Sequence, residues 1–220
     1  MSWALDEARL RNCSVTTGDS DATNTAHADM LFDHAVGAEL LVVGPGAVGN
    51  HLRTFASASR RAARRRSCPV VVVRGSGRPV RRITVGVDCS NAAATALDWA
   101  IDEAGLHEAS LTVIHAWQPP TQPDRFRRDE DLGSADARSI VDVDVAYAKR
   151  HTTLPDRGCL VRGDPREALI AQSTHTDLLV VGSRGRSGFR TMSFGSVALA
   201  VASGSDCPVV VVHPQLRPAS

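Results

Sequence analysis

The sequence predicts an α/β protein in which an open parallel sheet is covered by helices on both faces. Strand-sized runs of consecutive apolar residues, such as those at 178–181 and 209–212, alternate with longer stretches whose apolar residues recur at helical spacing. Apolar runs without polar interruptions belong to strands that are buried on both faces, which is typical of parallel sheets. A chain of 220 residues with 43% hydrophobic and 22% charged residues is long enough and apolar enough to bury a core.

The elements of one complete sheet follow one another from residue 82 onward. A buried strand at 82–88 ends in the carboxylate of Asp88, and an alanine-rich helix follows at 92–105. The remaining elements are a strand at 110–116, a polar loop at 119–135, a helix at 137–150, and strands at 159–162, 178–181 and 209–212.

The helix after the third of these strands carries N-terminal signals. Asp164 stands at the N-cap, Pro165 at the first helical position and Glu167 at the third. Because capping accounts for both acidic side chains, we assign them a structural rather than a catalytic role.

Part of this pattern also occurs before residue 75. Two strand motifs and one helix motif occur twice, and the matching pairs begin at Leu40 and Leu178, at Cys68 and Cys207, and at Trp3 and Trp99. The strand motifs are 138 and 139 residues apart but the helix motif only 96, so the first copy of a duplicated unit lacks roughly 40 residues. We therefore predict a degenerate partial copy at 1–75 and a complete domain at 76–220, joined by a segment of linker composition at 74–82.

Glycines and a helix start converge where a parallel sheet binds its ligands, at the carboxyl ends of strands where the strand order reverses. The loop 182–188 leaves a strand there, and Gly195 and Ser196 open the next helix. The N–H groups of a glycine loop and the dipole of a helix favour a phosphate group, to which Arg184 and Arg186 add positive charge. The alternative is a tight turn that needs glycine for its geometry alone.

The spacing Gly182-x2-Gly185-x9-Gly195-Ser196 resembles the nucleotide-binding signature of the ATP-binding universal stress proteins. Motifs elsewhere agree with that family in order and spacing, at 85–90, 96–100, 111–116, 163–165 and 207–211. The resemblance covers about residues 80–213. It implies a Rossmann-like open parallel sheet of five strands with helices on both faces, here preceded by a partial second copy, and tandem members are known in the family.

The resemblance also implies which residues hold the nucleotide. Asp88 matches a residue that contacts adenine or ribose, with Gly86 beside it, and Ala116 matches a small residue that packs on adenine. The positions that match those around the ribose and phosphates are Gly182, Arg184, Gly185, Arg186, Ser187, Gly188, Gly195, Ser196 and Val197. Cys89 departs from the family, which usually has glycine there, and adds a side chain at the adenine edge.

The implied function is ATP binding, with Mg²⁺ carried by the nucleotide, in a stress or dormancy response. The alternative is an interaction protein of the same fold whose nucleotide pocket is vestigial. Lys149, the only lysine, is remote in sequence from the glycine loop, and the chain offers no convincing general base to activate water against ATP. We therefore expect a slow ATPase at most and no dedicated catalytic residue.

Composition argues against several other classes of function. A net charge of +1 from 25 basic and 24 acidic residues is too balanced for a general polyanion binder. No apolar run approaches the roughly 18 residues of a membrane helix, and the first residues lack the layout of a signal peptide. Five cysteines without a C-x-x-C pair and eight scattered histidines indicate neither a disulfide framework nor a metal site. We therefore expect a cytoplasmic protein without a membrane partner.

The first copy lacks the features of a nucleotide site. It has no counterpart of Asp88, and Ala56 replaces the glycine before Ser57, where a methyl group obstructs a phosphate. Its loop 44–49 spells G-x-G-x-x-G, which alternatively predicts a dinucleotide site with Arg74 on an NADP phosphate. Register with the second copy explains the same residues, and no dehydrogenase constellation follows.

Two surface expectations complete the interpretation. Five arginines within 60–66 are expected to form a solvated helix end that faces an acidic surface, rather than a nucleic-acid contact. Universal stress proteins commonly pair through their final strand. The resemblance therefore implies that the strands at 70–73 and 209–212 meet, within one chain or in a homodimer.

Overall fold

Seven strands form one sheet in the computed structural model, which describes residues 2–17, 37–44, 68–74, 78–118, 130–151, 156–185 and 194–214. The strands are β1 (Leu41–Val43), β2 (Val70–Val72), β3 (Arg82–Gly86), β4 (Ser110–Trp117), β5 (Asp156–Arg162), β6 (Leu178–Gly182) and β7 (Val209–Val212). The helices are α1 (Ser2–Leu10), α2 (Asn91–His107), α3 (Glu130–His151), α4 (Pro165–Gln172) with a 3₁₀ turn at Ser173–His175, and α5 (Ser196–Gly204).

The strand order across the sheet is β1-β2-β7-β6-β3-β4-β5. All neighbouring strands are parallel except β2 and β7, which are antiparallel. The five neighbours β7-β6-β3-β4-β5 confirm the predicted open parallel sheet. The chain runs from β3 through β4 to β5 on one side and returns to β6 and β7 on the other, so the order reverses at β3. This reversal places a ligand crevice at the carboxyl ends of β3 and β6.

Alternate residues of each strand enter two separate cores. On one face, the alanine-rich side of α2 and part of α3 pack on β3 and β4, and Trp3 of α1 joins this core. On the other face, α4 and α5 pack on β6 and β7. In β7, Val210 and Val212 face the first core, whereas Val209 and Val211 face the second. The predicted helices on both faces are therefore confirmed.

The antiparallel contact joins the segment before residue 75 to the complete sheet. Val71 lies opposite Val210, and Val70 and Val72 lie opposite Val211 and Val209. Val71 and Val210 are the same 139 residues apart as Cys68 and Cys207, so the ladder is symmetric about equivalent residues. The expected meeting of the two final strands is therefore confirmed within one chain.

Several local expectations are confirmed and two need correction. Asp164 is the N-cap of α4 and accepts a hydrogen bond of 2.8 Å from the Arg166 N–H. Helix α3 begins at Glu130, so the expectation of a loop as far as 135 is wrong; a polar segment without apolar periodicity continues the helix predicted from 137 towards its N-terminus, although it contains the weak helix former Gly133. Val80 lies in the predicted linker but is buried in the core.

Among the described residues, no helix combines the length and apolarity required to span a membrane.

Candidate functional site

The carboxyl ends of β3, β4 and β6 bring the predicted site residues together. Gly86 pairs with Ile114 of β4 on one side and with Val181 of β6 on the other. Asp88 and Ala116 each follow two residues further along, so both lie at this edge. Ala116 is half-buried, which leaves a small apolar surface beside the carboxylate.

Asp88 is fixed by the turn that follows β3. The Ser90 N–H donates to its Oδ1 at 3.1 Å, and Ser90 Oγ both caps α2 and donates to the Arg184 carbonyl oxygen at 3.1 Å. The other carboxylate oxygen of Asp88, Oδ2, is directed at the loop after β6, since a Cβ placed on Gly185 would lie 2.5 Å from that oxygen. A side chain at position 185 would therefore collide with the carboxylate.

Gly182 allows the end of β6 to approach the start of α2. A Cβ at this position would lie 2.7 Å from the Ala92 carbonyl carbon and 2.9 Å from the Ala93 nitrogen. These neighbours are backbone atoms that cannot rotate away, so glycine is required for steric reasons. The contact fixes where the loop 182–185 leaves the sheet.

The N-terminus of α5 completes the edge. Gly195 is the N-cap and its N–H donates to the Ser183 carbonyl oxygen at 2.7 Å. A Cβ placed on Gly195 would lie 3.5 Å from the Arg184 Cα and 3.6 Å from the Gly185 nitrogen. Gly195 has no side chain with which to cap the first N–H groups of α5. A helix start of this kind carries partial positive charge and favours an anion.

Three polar atoms beside this edge are buried without a hydrogen-bond partner among the described residues. They are Ser183 Oγ, Arg184 Nε and His213 Nε2. Burial, and then the charge of Arg184, lower the pKa of His213 to about 4, so its imidazole is neutral. Buried polar groups are normally paired, so an unpartnered hydroxyl and guanidinium N–H beside a helix start are consistent with an anionic ligand.

His115, at the end of β4, has a structural role. It is buried, and its Nδ1–H donates to the Val87 carbonyl oxygen at 2.7 Å, which ties β4 to the turn before Asp88. Because a carbonyl oxygen can only accept, the proton must be on Nδ1.

The sequence predicted most of this edge but not all of it. The described members of the predicted set lie at this edge, and they are Gly86, Asp88, Ala116, Gly182, Arg184, Gly185, Gly195, Ser196 and Val197. Arg186, Ser187 and Gly188 lie outside the described residues. Sequence reasoning did not select Ser90, Ser183 or His213 for the site. Ser90 carried a usable signal as a helix cap two residues after Asp88, whereas the burial of His213 depends on the tertiary fold.

Cys89 occupies a backbone conformation that suits glycine. Its φ is 62°, in the left-handed region, and its side chain is exposed. The cysteine in place of the family's glycine therefore has a conformational cost as well as the expected effect on the adenine edge.

The segment before residue 75, predicted to be a partial first copy, contributes no described group to this edge. Most of its glycine loop and all five arginines of 60–66 lie outside the described residues. Arg74 donates from Nε to the Ala202 carbonyl oxygen of α5 at 3.0 Å. This contact gives Arg74 a role in joining the segment before residue 75 to α5 rather than in binding an NADP phosphate.

Residues 79–213 match the universal stress protein family. A universal stress protein of Mycobacterium tuberculosis is 30% identical over 219 residues, which cover 96% of this chain and 73% of that protein. A relative in Mycolicibacterium smegmatis is 31% identical over 200 residues, which cover 86% and 66% of the two chains.

Solved universal stress proteins superpose on this chain. A putative universal stress protein of Pseudomonas aeruginosa superposes with a TM-score of 0.63 at 21% identity, covering 97% of this chain and 78% of that one. A universal stress protein in complex with cAMP superposes with a TM-score of 0.50 at 28% identity, covering 63% of this chain and all of that one (100%).

Proposed function

The chain belongs to the universal stress protein family, and from that premise we propose that it binds ATP at the carboxyl ends of β3, β4 and β6. The observation that carries the proposal is the meeting of the Asp88 carboxylate, the glycine loop 182–185 and the N-terminus of α5 at one edge. The family member solved with cAMP supports an adenine nucleotide as the class of ligand.

Each part of the edge suits one part of the nucleotide. The Asp88 carboxylate accepts hydrogen bonds from a ribose hydroxyl or the adenine amino group, and Ala116 packs on the adenine ring. The phosphates lie against the loop 182–185 and the first turn of α5, where Arg184 contributes a guanidinium N–H that has no described partner. Mg²⁺ enters with the phosphates, since it prefers phosphate oxygens and water to an all-protein cage.

The proposed role is nucleotide-dependent interaction in stress response or dormancy, rather than rapid turnover of ATP. Among the described residues of the edge, Asp88 is the acidic side chain, and it is held by the Ser90 N–H and lies next to Gly185. We assign it to ligand binding. Hydrolysis by this chain is then slow, because no group is proposed to activate water.

The proposed organisation is a partial copy at 1–75 that completes the surface of a nucleotide-binding domain at 76–220. The symmetric ladder between β2 and β7 and the contact of Arg74 with α5 support it. In this arrangement the final strand of the domain is covered within the chain, and a homodimer would have to use another surface.

Calorimetric titration with Mg-ATP of the full chain, stripped of bound nucleotide, tests the function. We expect one site per chain. Asp88→Asn keeps an oxygen for the Ser90 N–H and removes the charge, and Gly195→Ala adds a methyl group whose nearest neighbours lie at an ordinary 3.5 Å. Each variant is expected to weaken binding by at least about tenfold.

Two matched controls separate a local effect from a general one. Asp142→Ala removes an exposed carboxylate from α3, and Gly105→Ala adds a methyl group to open space on α2. Both are expected to bind Mg-ATP as the wild type does. A folded wild type that binds no adenine nucleotide would contradict the proposal and favour the interaction protein with a vestigial pocket.

A further inference from the structure

A second buried polar cluster lies where α1 meets the C-terminal end of α2, far from the N-terminal cap of that helix. It consists of Glu7 of α1, Arg11 immediately after α1, and Glu103 and His107 of α2. Glu7 is 3% exposed and Glu103 2% exposed, so two carboxylates are withdrawn from water at one point. The nucleotide edge uses none of these residues.

Arg11 divides the carboxylate oxygens into two sets. Its guanidinium donates to Glu7 Oε1 at 2.9 Å and to Glu103 Oε2. The other oxygen of each carboxylate faces His107, with Nε2 at 3.2 Å from Glu7 Oε2 and 3.3 Å from Glu103 Oε1. Arg11 thus holds both carboxylates in place and leaves one oxygen of each directed at the imidazole.

These close approaches are not satisfied hydrogen bonds. Glu103 Oε1 and His107 Nε2 are both buried without a hydrogen-bond partner among the described residues, although they lie 3.3 Å apart. Buried polar atoms are normally paired, and these two contacts are ion pairs only while His107 carries its second proton. A cation between them would be bound by both.

We propose that Glu7, Glu103 and His107 bind one divalent transition metal ion, Zn²⁺ foremost, between α1 and α2. Their three donor atoms lie within 4.8 Å of one another. Ligands of a tetrahedral Zn²⁺ site with bonds of about 2.0 Å are separated by about 3.3 Å, which is the separation of Nε2 from both oxygens. Two carboxylates and one imidazole form a donor set that Zn²⁺ accepts, with water in the fourth position.

The surrounding charges fit a divalent ion. Arg11 also lies 3.8 Å from the carboxylate of Glu39, so three carboxylates and one guanidinium leave a net charge of −2 when His107 is neutral. A divalent ion neutralises this charge. Arg11 acts as the outer partner that orients the ligating carboxylates.

A proton on the His107 imidazole competes with a metal ion for this site. Burial alone lowers the pKa of an imidazole, but the facing carboxylates outweigh it and raise the pKa of His107 to about 9. A metal ion must displace that proton to bind. Binding would join the partial copy to the complete domain by three ligands, two on α2 and one on α1, without involving the nucleotide edge.

Titration of the chelator-treated full chain with Co²⁺, in a mildly alkaline buffer that does not bind metals, tests the site. We expect one Co²⁺ per chain with the visible bands of nitrogen and oxygen ligation, no cobalt–thiolate band, and displacement by Zn²⁺. Glu7→Gln and Glu103→Gln each weaken binding by at least about tenfold. The exposed controls Asp6→Asn and His175→Gln leave the affinity unchanged.

Thermal unfolding of the wild type provides a readout that does not depend on the variants. Zn²⁺ raises the Tm of the nucleotide-free chain, because it binds the folded state in preference to the unfolded one. A thiolate band, affinity unchanged in Glu103→Gln, or a folded wild type that takes up no Co²⁺ would each overturn the proposal. The last result would leave a protonated His107 as the bridge between the carboxylates, and none of the three would bear on ATP binding.

Discussion

Cys89 adds backbone strain to the turn after β3. Its φ of 62° costs a residue with a Cβ about 1 kcal/mol that glycine avoids. We predict that Cys89→Gly raises the free energy of unfolding by about 1 kcal/mol, measured by urea denaturation. Cys13→Gly is the matched control, since Cys13 is also exposed but has no positive φ, and it is expected to give no gain. An equal gain in both variants would contradict the conformational explanation.

His213 gives the protein a specific sensitivity to acid. In the folded chain its pKa is about 4, because burial and the charge of Arg184 disfavour the imidazolium, whereas the unfolded chain takes up a proton near pH 6.5. The unfolded state therefore binds more protons between these values. The stabilising contribution of the neutral imidazole is complete above about pH 6.5 and is lost as the pH falls towards 4.

The linkage predicts a measurable difference between wild type and His213→Gln. Between about pH 7.5 and pH 5.0 the wild type is expected to lose about 2 kcal/mol more free energy of unfolding than the variant, which has no titrating group at 213. Urea denaturation of both proteins at the two pH values provides the measurement. Equal losses in the two proteins would show that His213 is not neutral and buried in solution.

At the scale of elements, the sequence signals were strongest where local chemistry alone decides the structure. Unbroken valine and leucine runs predicted β6 and β7, and the cap at Asp164 predicted the start of α4. The start of α3 was missed because a polar segment can extend a helix without showing apolar periodicity. The glycines after β6 were recognised as a loop, but their reason, the backbone of α2 against Gly182, appears only in the fold.

That contact makes Gly182 a test of how β6 and α2 fit together. A Cβ at Gly182 would lie 2.7 Å from backbone atoms of Ala92, so Gly182→Ala is expected to lower the free energy of unfolding by about 2 kcal/mol. Gly105 lies exposed within α2 with open space around it, so Gly105→Ala is expected to raise the same quantity by about 0.5–1 kcal/mol. Denaturant melts of both variants would show opposite signs, and a neutral Gly182→Ala would refute the close approach.

At the scale of the whole molecule, the family resemblance predicted a contact that no single motif could. The meeting of β2 with β7 followed from the resemblance, whereas its symmetric register about Val71 and Val210 required the structure. The cluster between α1 and α2 was not predicted, although Glu7 and Glu103 occupy equivalent positions of the helix motif that occurs twice, 96 residues apart, because a repeated motif does not show that its two helices meet. Their approach depends on how the segment before residue 75 packs on the sheet, which the local sequence does not encode.

The ladder between β2 and β7 determines whether the segment before residue 75 is an appendage or a structural part of the molecule. Val71 is fully buried at the centre of the β2–β7 ladder and belongs to the core that contains Trp3 and Val210. Val71→Asp places a charge there without a partner, and we expect it to lower the free energy of unfolding by more than about 3 kcal/mol. Val143→Asp, at a valine that is 65% exposed on α3, should cost less than about 1 kcal/mol.

Hydrogen exchange resolved by residue distinguishes the two possibilities. If the copies share one core, amides of β6 and β7 lose protection in Val71→Asp together with those of β2, because the all-valine edge of β7 has lost its antiparallel partner. The exposed edge should also make the variant self-associate, which sedimentation would detect. Loss of protection confined to residues before 75, with β7 as protected as in Val143→Asp, would mean that the complete domain stands alone and the partial copy only rests on it.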